Sequence, residues 1–145
     1  MNAMSKTPRI FLAGPAWNAA ERENLECIAQ ALAAAGEDVY LPFRDGLPNT
    51  ETDDAWRRDV DLLLTECDAI VVDLHGRTPD EAAVYLAGLA YAAGLAVVLY
   101  KVDHRTVFYG TENSMVLGLS PDFRVVDKLR DLPASISRAR AKPWT

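Results

Sequence analysis

The chain has few cysteines and histidines and no long apolar run. Its 145 residues include two of each of these residue types. Neither Cys27 nor Cys67 has a Cys or His neighbour at metal-ligand spacing, so the sequence predicts two core thiols and no metal site. No window approaches the roughly 18 consecutive apolar residues that a membrane span needs. We therefore expect no membrane partner and, by default, a cytoplasmic location.

Basic residues are in the minority as well. The chain has 15 Lys and Arg against 21 Asp and Glu, which gives a formal net charge of −6. Proteins that bind nucleic acid need a cationic surface, so we expect a small molecule or another protein as partner and no nucleic acid. The Gly-x-Gly-x-x-Gly, Walker and Gly-x-Ser-x-Gly motifs are missing. Their absence disfavours dinucleotide oxidoreductases, NTPases and serine hydrolases, and we expect no cofactor.

What the chain does have is an alternation of strand-like and helix-like segments. Half of its residues are hydrophobic, which is enough for the core of one domain. We assign residues 1–8 to a disordered N-terminal tail and residues 9–145 to a single domain. Strands are predicted over 9–13, 38–41, 69–74, 96–100 and 123–126, helices over 18–35, 54–66, 79–93 and 127–139, and a polar loop that is a candidate lid over 44–53.

This alternation predicts an α/β fold with a five-stranded parallel, doubly wound sheet in the flavodoxin-like (Rossmann-like) order. In such sheets ligands bind beyond the carboxyl ends of the strands. The residues to inspect there lie at 14–17, 44–46, 73–77 and 103–105. Two helices carry apolar stripes that are expected to face the core, made of Leu25, Ile28, Ala29, Leu32 and Ala33 in one and Trp56, Val60, Leu63 and Leu64 in the other.

The segment Thr78-Pro79-Asp80-Glu81 has the pattern of a helix start. Thr78 is placed to cap the helix, Pro79 to occupy its first position, and Glu81 to close a capping box. Asp80 is open to either a structural role or a ligand contact. This segment is therefore expected to begin the helix that follows the third strand.

Asp73 and His75 bracket the end of the third strand. Asp73 either contacts a sugar or base, or bonds the backbone of the turn at residues 75–76, and the residues alone favour neither. His75 carries an imidazole, a side chain that is chemically able to act as a general acid-base group. A lone histidine in a polar turn is more often held by local hydrogen bonds, and we favour that interpretation.

Six segments stand in a recognisable order in the sequence. They are residues 11–15 (Phe-Leu-Ala-Gly-Pro), 44–46 (Arg-Asp-Gly), 67–72, 79–91, Asp103-x-Arg105 and Asn113-x-Met115. Together they span about residues 9–118 and resemble the nucleoside 2-deoxyribosyltransferase family. In that family Pro-Asp-Glu-Gly is followed by a catalytic glutamate and then Leu-Gly. At the position of this glutamate the chain has Leu86, and Ala82 stands where a glycine is common.

The resemblance implies a nucleoside or nucleotide ligand. The family transfers 2-deoxyribose between nucleobases through a covalent glycosyl-glutamate, and close relatives hydrolyse nucleoside monophosphates with the same carboxylate. In relatives the Asn and Met of the last segment come from a neighbouring subunit, which implies a homodimer or larger oligomer here. As an alternative, Asn113 caps a short helix. The implied substrate-binding residues are Gly14, Trp17, Arg44, Asp45, Gly46, Asp73, Asp80, Asn113 and Met115.

The catalytic candidates are Asp80 and Asp73, because Leu86 offers no lone pair. On a helical wheel Asp80 and Glu81 lie roughly 240° and 140° from Leu86, so we expect neither to take the place of the missing glutamate. Phe11 is expected in the core and Trp17 against a base.

Three functions remain open from the sequence. The first is nucleoside binding without covalent transfer. The second is an N-glycosidase without a covalent step, in which Asp73 or Asp80 activates water or stabilises an oxocarbenium-like transition state. The third is an oligomeric interaction module with a vestigial pocket.

Overall fold

A computed structural model describes residues 7–46, 52–106, 108 and 110–142 of the chain. Residues 1–6, most of the predicted tail, lie outside this part. The strands are β1 (Ile10–Ala13), β2 (Val39–Tyr40), β3 (Ala69–Asp73), β4 (Ala96–Tyr100) and β5 (Val125–Val126). The helices are α1 (Ala19–Ala34), α2 (Pro42–Asp45), α3 (Thr52–Glu66), α4 (Glu81–Ala92), α5 (Ser114–Leu117) and α6 (Leu132–Ala141), the last preceded by a 3₁₀ turn at Leu129–Asp131.

The five strands form one parallel sheet in the order β2-β1-β3-β4-β5. This is the flavodoxin-like order, so the predicted fold class is confirmed. All residues of β1, β3 and β4 are buried, as expected for strands that helices cover on both faces. Because β1 and β3 are neighbours near the centre, their carboxyl ends open onto one shared crevice.

Each face of the sheet has its own apolar core. On one face α1 and α6 pack with residues such as Leu32 and Ile136. On the other face α3 and α4 contribute Leu63 and Ala87. Burying one such leucine or isoleucine side chain stabilises the fold by about 1.5–3 kcal/mol. The two covered faces confirm the doubly wound arrangement.

The predicted stripe of α1 is confirmed at four positions and wrong at Ala33, which is exposed. Cys67 is buried as predicted, but Cys27 is exposed. Cys27 lies about 200° around the helix from Leu25 and therefore points away from the sheet. In α3, Leu63 is fully buried as predicted, whereas Trp56 is 53% exposed, contrary to the prediction.

Several predicted boundaries need correction. The proposed loop over 44–53 is helical at both ends, since α2 runs to Asp45 and α3 begins at Thr52. The centre of the proposed lid, residues 47–51, lies outside the described residues. The last helix begins at Leu132 rather than at 127. No helix in the described part of the chain is long and apolar enough to cross a membrane.

Candidate functional site

A cavity of about 180 Å³ lies at the carboxyl ends of β1 and β2 and against the first turns of α4. Strand β1 and the segment after it form the floor, the β2–α2 segment forms one wall, and α4 forms the other. This is the edge of the sheet where the topology predicts a ligand. The described lining residues are Phe11, Leu12, Ala13, Gly14, Ala16, Leu25, Leu41, Pro42, Phe43, Asp59, Asp80, Ala82, Ala83 and Leu86.

Asp80 is the N-cap of α4, which corrects the prediction that Thr78 caps this helix. Its backbone is extended (φ −62°, ψ 127°), and its Oδ2 accepts a hydrogen bond of 3.0 Å from the backbone N–H of Ala83. Asp80 is better suited to the role because a residue directly before the first helical turn reaches the free N–H groups. Its other oxygen, Oδ1, accepts from the indole Nε1 of Trp17 at 3.2 Å.

Leu86 lines the same cavity as Asp80. The two residues therefore border one cavity despite their separation on the helical wheel. A helical wheel places only residues with helical backbone angles, and Asp80 precedes the helix. The wall between them consists of Ala82 and Ala83, so α4 presents an apolar surface next to a single carboxylate.

Asp59 is a second carboxylate on the cavity, and it was not among the sequence candidates. It comes from α3, and its Oδ1 accepts from the hydroxyl of Tyr40 at 3.2 Å. Burial raises the pKa of the Tyr40 hydroxyl, and the charge of Asp59 raises it further. Asp59 lies within the predicted apolar stripe of α3, three residues after Trp56 and four before Leu63. An acid inside an apolar stripe is the sequence signal that could have identified it, but it was not used.

Phe11 in β1 and Trp17 in the segment after β1 have different environments. Phe11 is fully buried, as predicted, with its ring centroid 5.3 Å from that of Tyr40. Trp17 is 82% exposed and is held by the bond to Asp80. A flat, exposed indole fixed beside the cavity is suited to stacking on a planar ligand.

Asp73 ends β3 in a fully buried position. Its Oδ2 accepts from the side-chain amide of Asn24 at 2.8 Å, and its Oδ1 accepts from the backbone N–H of His75 at 3.1 Å and from the His75 ring Nδ1. Of the two roles left open above, the structure shows the bond to the turn. Burial, followed by the charge of Asp73, raises the pKa of the neighbouring Tyr100.

His75 makes local hydrogen bonds with both ring nitrogens. Nδ1 donates to Asp73, and Nε2 accepts from the backbone N–H of Val102 at 3.3 Å. His75 therefore ties the end of β3 to the segment that follows β4.

Gly14 lies between the cavity and Asp73. A Cβ atom at this position would stand 2.8 Å from Asp73 Cβ and 2.9 Å from Leu25 Cδ2. Both neighbours are buried, so neither has room to move away. The glycine permits the close approach of β1 to β3 at the crevice.

We expect Gly14→Ala to lower the free energy of unfolding by about 1–3 kcal/mol, the usual cost of overpacking. Urea unfolding followed by circular dichroism measures it. Gly88→Ala is the matched control, because nothing lies within 4 Å of a Cβ added there. An alanine inside α4 is expected to stabilise by about 0.5–1 kcal/mol. Equal effects at the two positions would contradict the packing described here.

The side chains of Arg44 and Asp45 are hydrogen-bonded to each other. None of residues 44–46 is among the described lining residues of the cavity. Arg44 Nη2 donates to Asp45 Oδ2 at 2.8 Å and to the carbonyl of Val39 at 3.1 Å. Asp45 also accepts from the backbone N–H of Leu41 at 2.9 Å. The Arg44 hydrogen bond holds the pKa of Asp45 below its usual value. This segment shapes the β2–α2 wall through the adjacent Pro42 and Phe43.

The remaining predicted residues lie beyond β4, away from the cavity. Asn113 caps α5, with its side chain accepting from the N–H of Met115 at 2.9 Å, which is the alternative role considered above. Met115 is 80% exposed. Asp103 binds the Arg105 guanidinium and accepts from the N–H of Gly76, and the Arg105 contact lowers the pKa of Asp103 well below its usual value.

The described residues contain no group of three or more His, Cys, Asp or Glu that could hold a metal ion. The side chains at and beside the cavity provide two carboxylates, an indole and an apolar wall.

The sequence also matches a known family. The sequence profile of the family described as Nucleoside 2-deoxyribosyltransferase matches residues 10–129. The chain belongs to this family.

Solved structures with the nucleoside 2-deoxyribosyltransferase fold are similar to the chain along nearly its whole length. A conserved protein from Enterococcus faecalis V583 superposes with a TM-score of 0.75 at 24% identity, over 91% of this chain and 98% of that one. The 2-deoxyribosyltransferase of Bacillus psychrosaccharolyticus gives 0.73 at 18% identity, over 94% and 99%. The 2-desoxiribosyltransferase of Leishmania mexicana gives 0.64 at 23% identity, over 93% and 98%. No curated protein matches the chain.

Proposed function

We propose that this member of the nucleoside 2-deoxyribosyltransferase family binds a nucleoside or nucleotide in the cavity between β1, β2 and α4 and carries out no covalent glycosyl transfer there. The observation that carries the proposal is the cavity wall on α4. Leu86 lines this wall. By the sequence resemblance, its position in the helix corresponds to that of the family's nucleophilic glutamate. A carbon side chain cannot attack an anomeric centre, whereas a carboxylate held about 3–3.5 Å away can.

The charge of the cavity supports a ligand that offers hydrogen-bond donors. Among the described lining residues the charged ones are Asp59 and Asp80. Carboxylates are acceptors only, so they suit sugar hydroxyls and the N–H groups of a base. The apolar wall and the Trp17 indole suit the flat faces of a base.

The size of the cavity supports a site that a second subunit completes. Small-molecule sites usually enclose about 300–1,000 Å³, whereas this cavity holds about 180 Å³. We propose a homo-oligomer in which Met115, which is 80% exposed, reaches a neighbouring site. Sedimentation analysis is expected to show a dimer or larger species, and Met115→Asp to weaken both assembly and binding. A monomer that binds nucleosides fully would contradict this part of the proposal.

A thermal-shift and calorimetric titration with deoxynucleosides, nucleotides and free bases tests the binding proposal. Ligand at 100 times its Kd is expected to stabilise the protein by about 2.7 kcal/mol. Asp80→Asn keeps a good N-cap but removes the charge, and we expect it to weaken binding about 10–100-fold. Asp54→Asn on the exposed start of α3 is the control. If nucleosides and nucleotides never bind, the proposal fails.

A second candidate function is hydrolysis of the N-glycosidic bond without a covalent step. The specific observation in its favour is that Asp59 and Asp80 line one cavity, since two carboxylates can divide the activation of water and the stabilisation of an oxocarbenium-like transition state. The buried Asp73 is already bonded to Asn24 and His75. Base release by the wild type that disappears in Asp80→Asn or Asp59→Asn would favour this function over binding alone.

A further inference from the structure

Helix α4 is apolar on both of its sides. Glu81 in its first turn is charged, and residues 82–92 carry no charged side chain. On the inward side Ala83, Ala87 and Ala90 are buried in the core between the helix and the sheet. A surface helix normally has polar and charged residues on the side that faces solvent. The outward side of α4 therefore lacks the composition of a solvated face.

Four residues with the spacing of a helix-pairing seam form this outward side. They are Ala82, Tyr85, Leu89 and Ala92, separated by three, four and three positions, as in the seam of two packed helices. At about 100° per residue they fall within roughly 80° of the helix circumference, on the side away from the buried alanines. Tyr85 is 47% exposed, Ala82 and Ala92 are exposed, and Leu89 is half-buried.

The seam is symmetric about residue 87 of the helix. Ala82 and Ala92 lie five positions to either side of it, and Tyr85 and Leu89 lie two positions to either side. If two α4 helices pair antiparallel about a two-fold axis, Tyr85 of each copy faces Leu89 of the other. The small residues at the two ends then meet each other and allow the helices to approach closely. A two-fold interface requires a patch that is complementary to itself in this way.

Charge and area also favour a second copy of the chain as the occupant. Two copies that each carry a net charge of −6 repel each other, and they do so least across a face without charges. A helix of 12 residues covers only roughly 200 Å², whereas a stable interface takes about 800 Å² per partner. The helices α3 and α5 share the core of α4 and supply further apolar surface, since Trp56 is 53% and Met115 is 80% exposed.

We propose that the outward side of α4 forms the centre of a two-fold interface between two copies of this chain, in which the two helices run antiparallel. The proposal rests on the homo-oligomer of the proposed function and names the surface that forms it. Ala82 and Leu86 of the same helix line the nucleoside cavity. The second copy therefore lies beside that cavity.

Sedimentation equilibrium of the full chain tests the surface. Tyr85→Glu places a carboxylate in the seam of both copies and is expected to raise the dissociation constant of the dimer at least about tenfold. Tyr85→Phe keeps the ring and is expected to stay within about twofold of the wild type. Ala33→Glu is the matched control, because it adds the same charge at an exposed position of α1 on the opposite face of the sheet.

Disulfide crosslinking tests the antiparallel arrangement and leaves Tyr85 and Leu89 unchanged. The background is Cys27→Ser, because Cys27 is exposed. The double variant Ala82→Cys/Ala92→Cys is expected to form a covalent dimer on mild oxidation, and neither single variant is expected to do so. Within one chain the two positions are about 15 Å apart along the helix, too far for a disulfide, which needs Cα atoms within about 7 Å.

Three results would overturn the proposal. A wild-type chain that stays monomeric would leave the α4 face to another occupant. A dimer that a folded Tyr85→Glu protein preserves would have its interface elsewhere, although the proposed homo-oligomer would stand. Crosslinking of either single cysteine variant with itself would reject the antiparallel pairing. Nucleoside titration of the same samples by calorimetry reports separately on the cavity, so failure of ligand binding is distinguishable from failure of this interface.

Discussion

Leu86→Glu is expected to release free base from deoxynucleosides about 10²–10⁴-fold faster than the wild type, the range that a positioned catalytic side chain contributes. The new carboxylate would stand in the cavity beside Asp80, where Leu86 now lines the wall. Its oxygen would attack the anomeric carbon, the base would leave, and water would hydrolyse the glycosyl ester. Chromatography of released base measures the rate, and transfer to a second base measures the covalent route.

The matched control for this variant is Leu86→Gln, which has the same shape without a nucleophilic carboxylate. It is expected to stay at the wild-type rate. The double variant Ala82→Gly/Leu86→Glu removes one methyl group from the same cavity wall. If the sugar approaches the helix at residue 82, the rate of base release is expected to rise further. A folded Leu86→Glu protein that binds nucleosides but releases no base would show that residue 86 does not face the anomeric centre.

Asp73→Ala is expected to lower the free energy of unfolding by about 2–4 kcal/mol, because it leaves the partly buried Asn24 amide and the His75 donors without their acceptor. Asp73 is fully buried and bonded to both residues. For a chain of this size the loss corresponds to a Tm lower by roughly 6–12 °C. Differential scanning calorimetry and urea unfolding at neutral pH measure it.

Asp73→Asn is the control, since it keeps the size of the side chain and one acceptor oxygen for the His75 N–H. We expect a smaller loss from it than from Asp73→Ala. Nucleoside affinity measured on the folded fraction is expected to change less than fivefold in either variant, because Asp73 lies behind Gly14 rather than on the cavity. Loss of affinity with unchanged stability would instead make Asp73 a ligand residue.

Much of the scaffold was predictable from local patterns. The run at β4 was placed at its observed limits, and the alternation of apolar strands with amphipathic helices fixed the doubly wound class. Several errors arose at helix ends, where one residue decides the outcome. Thr78 and Asp80 are both good caps, and only the path of the chain after β3 determines which of them meets the first free N–H groups.

The residues of the candidate site also fall into those that were predicted from the sequence and those that were not. The strand ends and the residues Gly14, Asp80 and Leu86 were identified from sequence, and all three line one cavity. Asp59 was not identified, because its place depends on how α3 packs beside β2. The buried ion pair of Lys101 with Glu112 was also not predictable from the sequence, since the two residues are 11 positions apart and meet only through the fold of the chain between them.

The sequence by itself determined the fold class, the family and the edge of the sheet where a ligand is expected, because these follow from hydrophobic periodicity and from motifs that are local in the chain. Only the tertiary structure decided that Asp73 is enclosed while Asp59 and Asp80 face the cavity. The physical reason is that the burial of a carboxylate depends on which distant segments pack against it. Packing between distant segments is not encoded in the spacing of neighbouring residues.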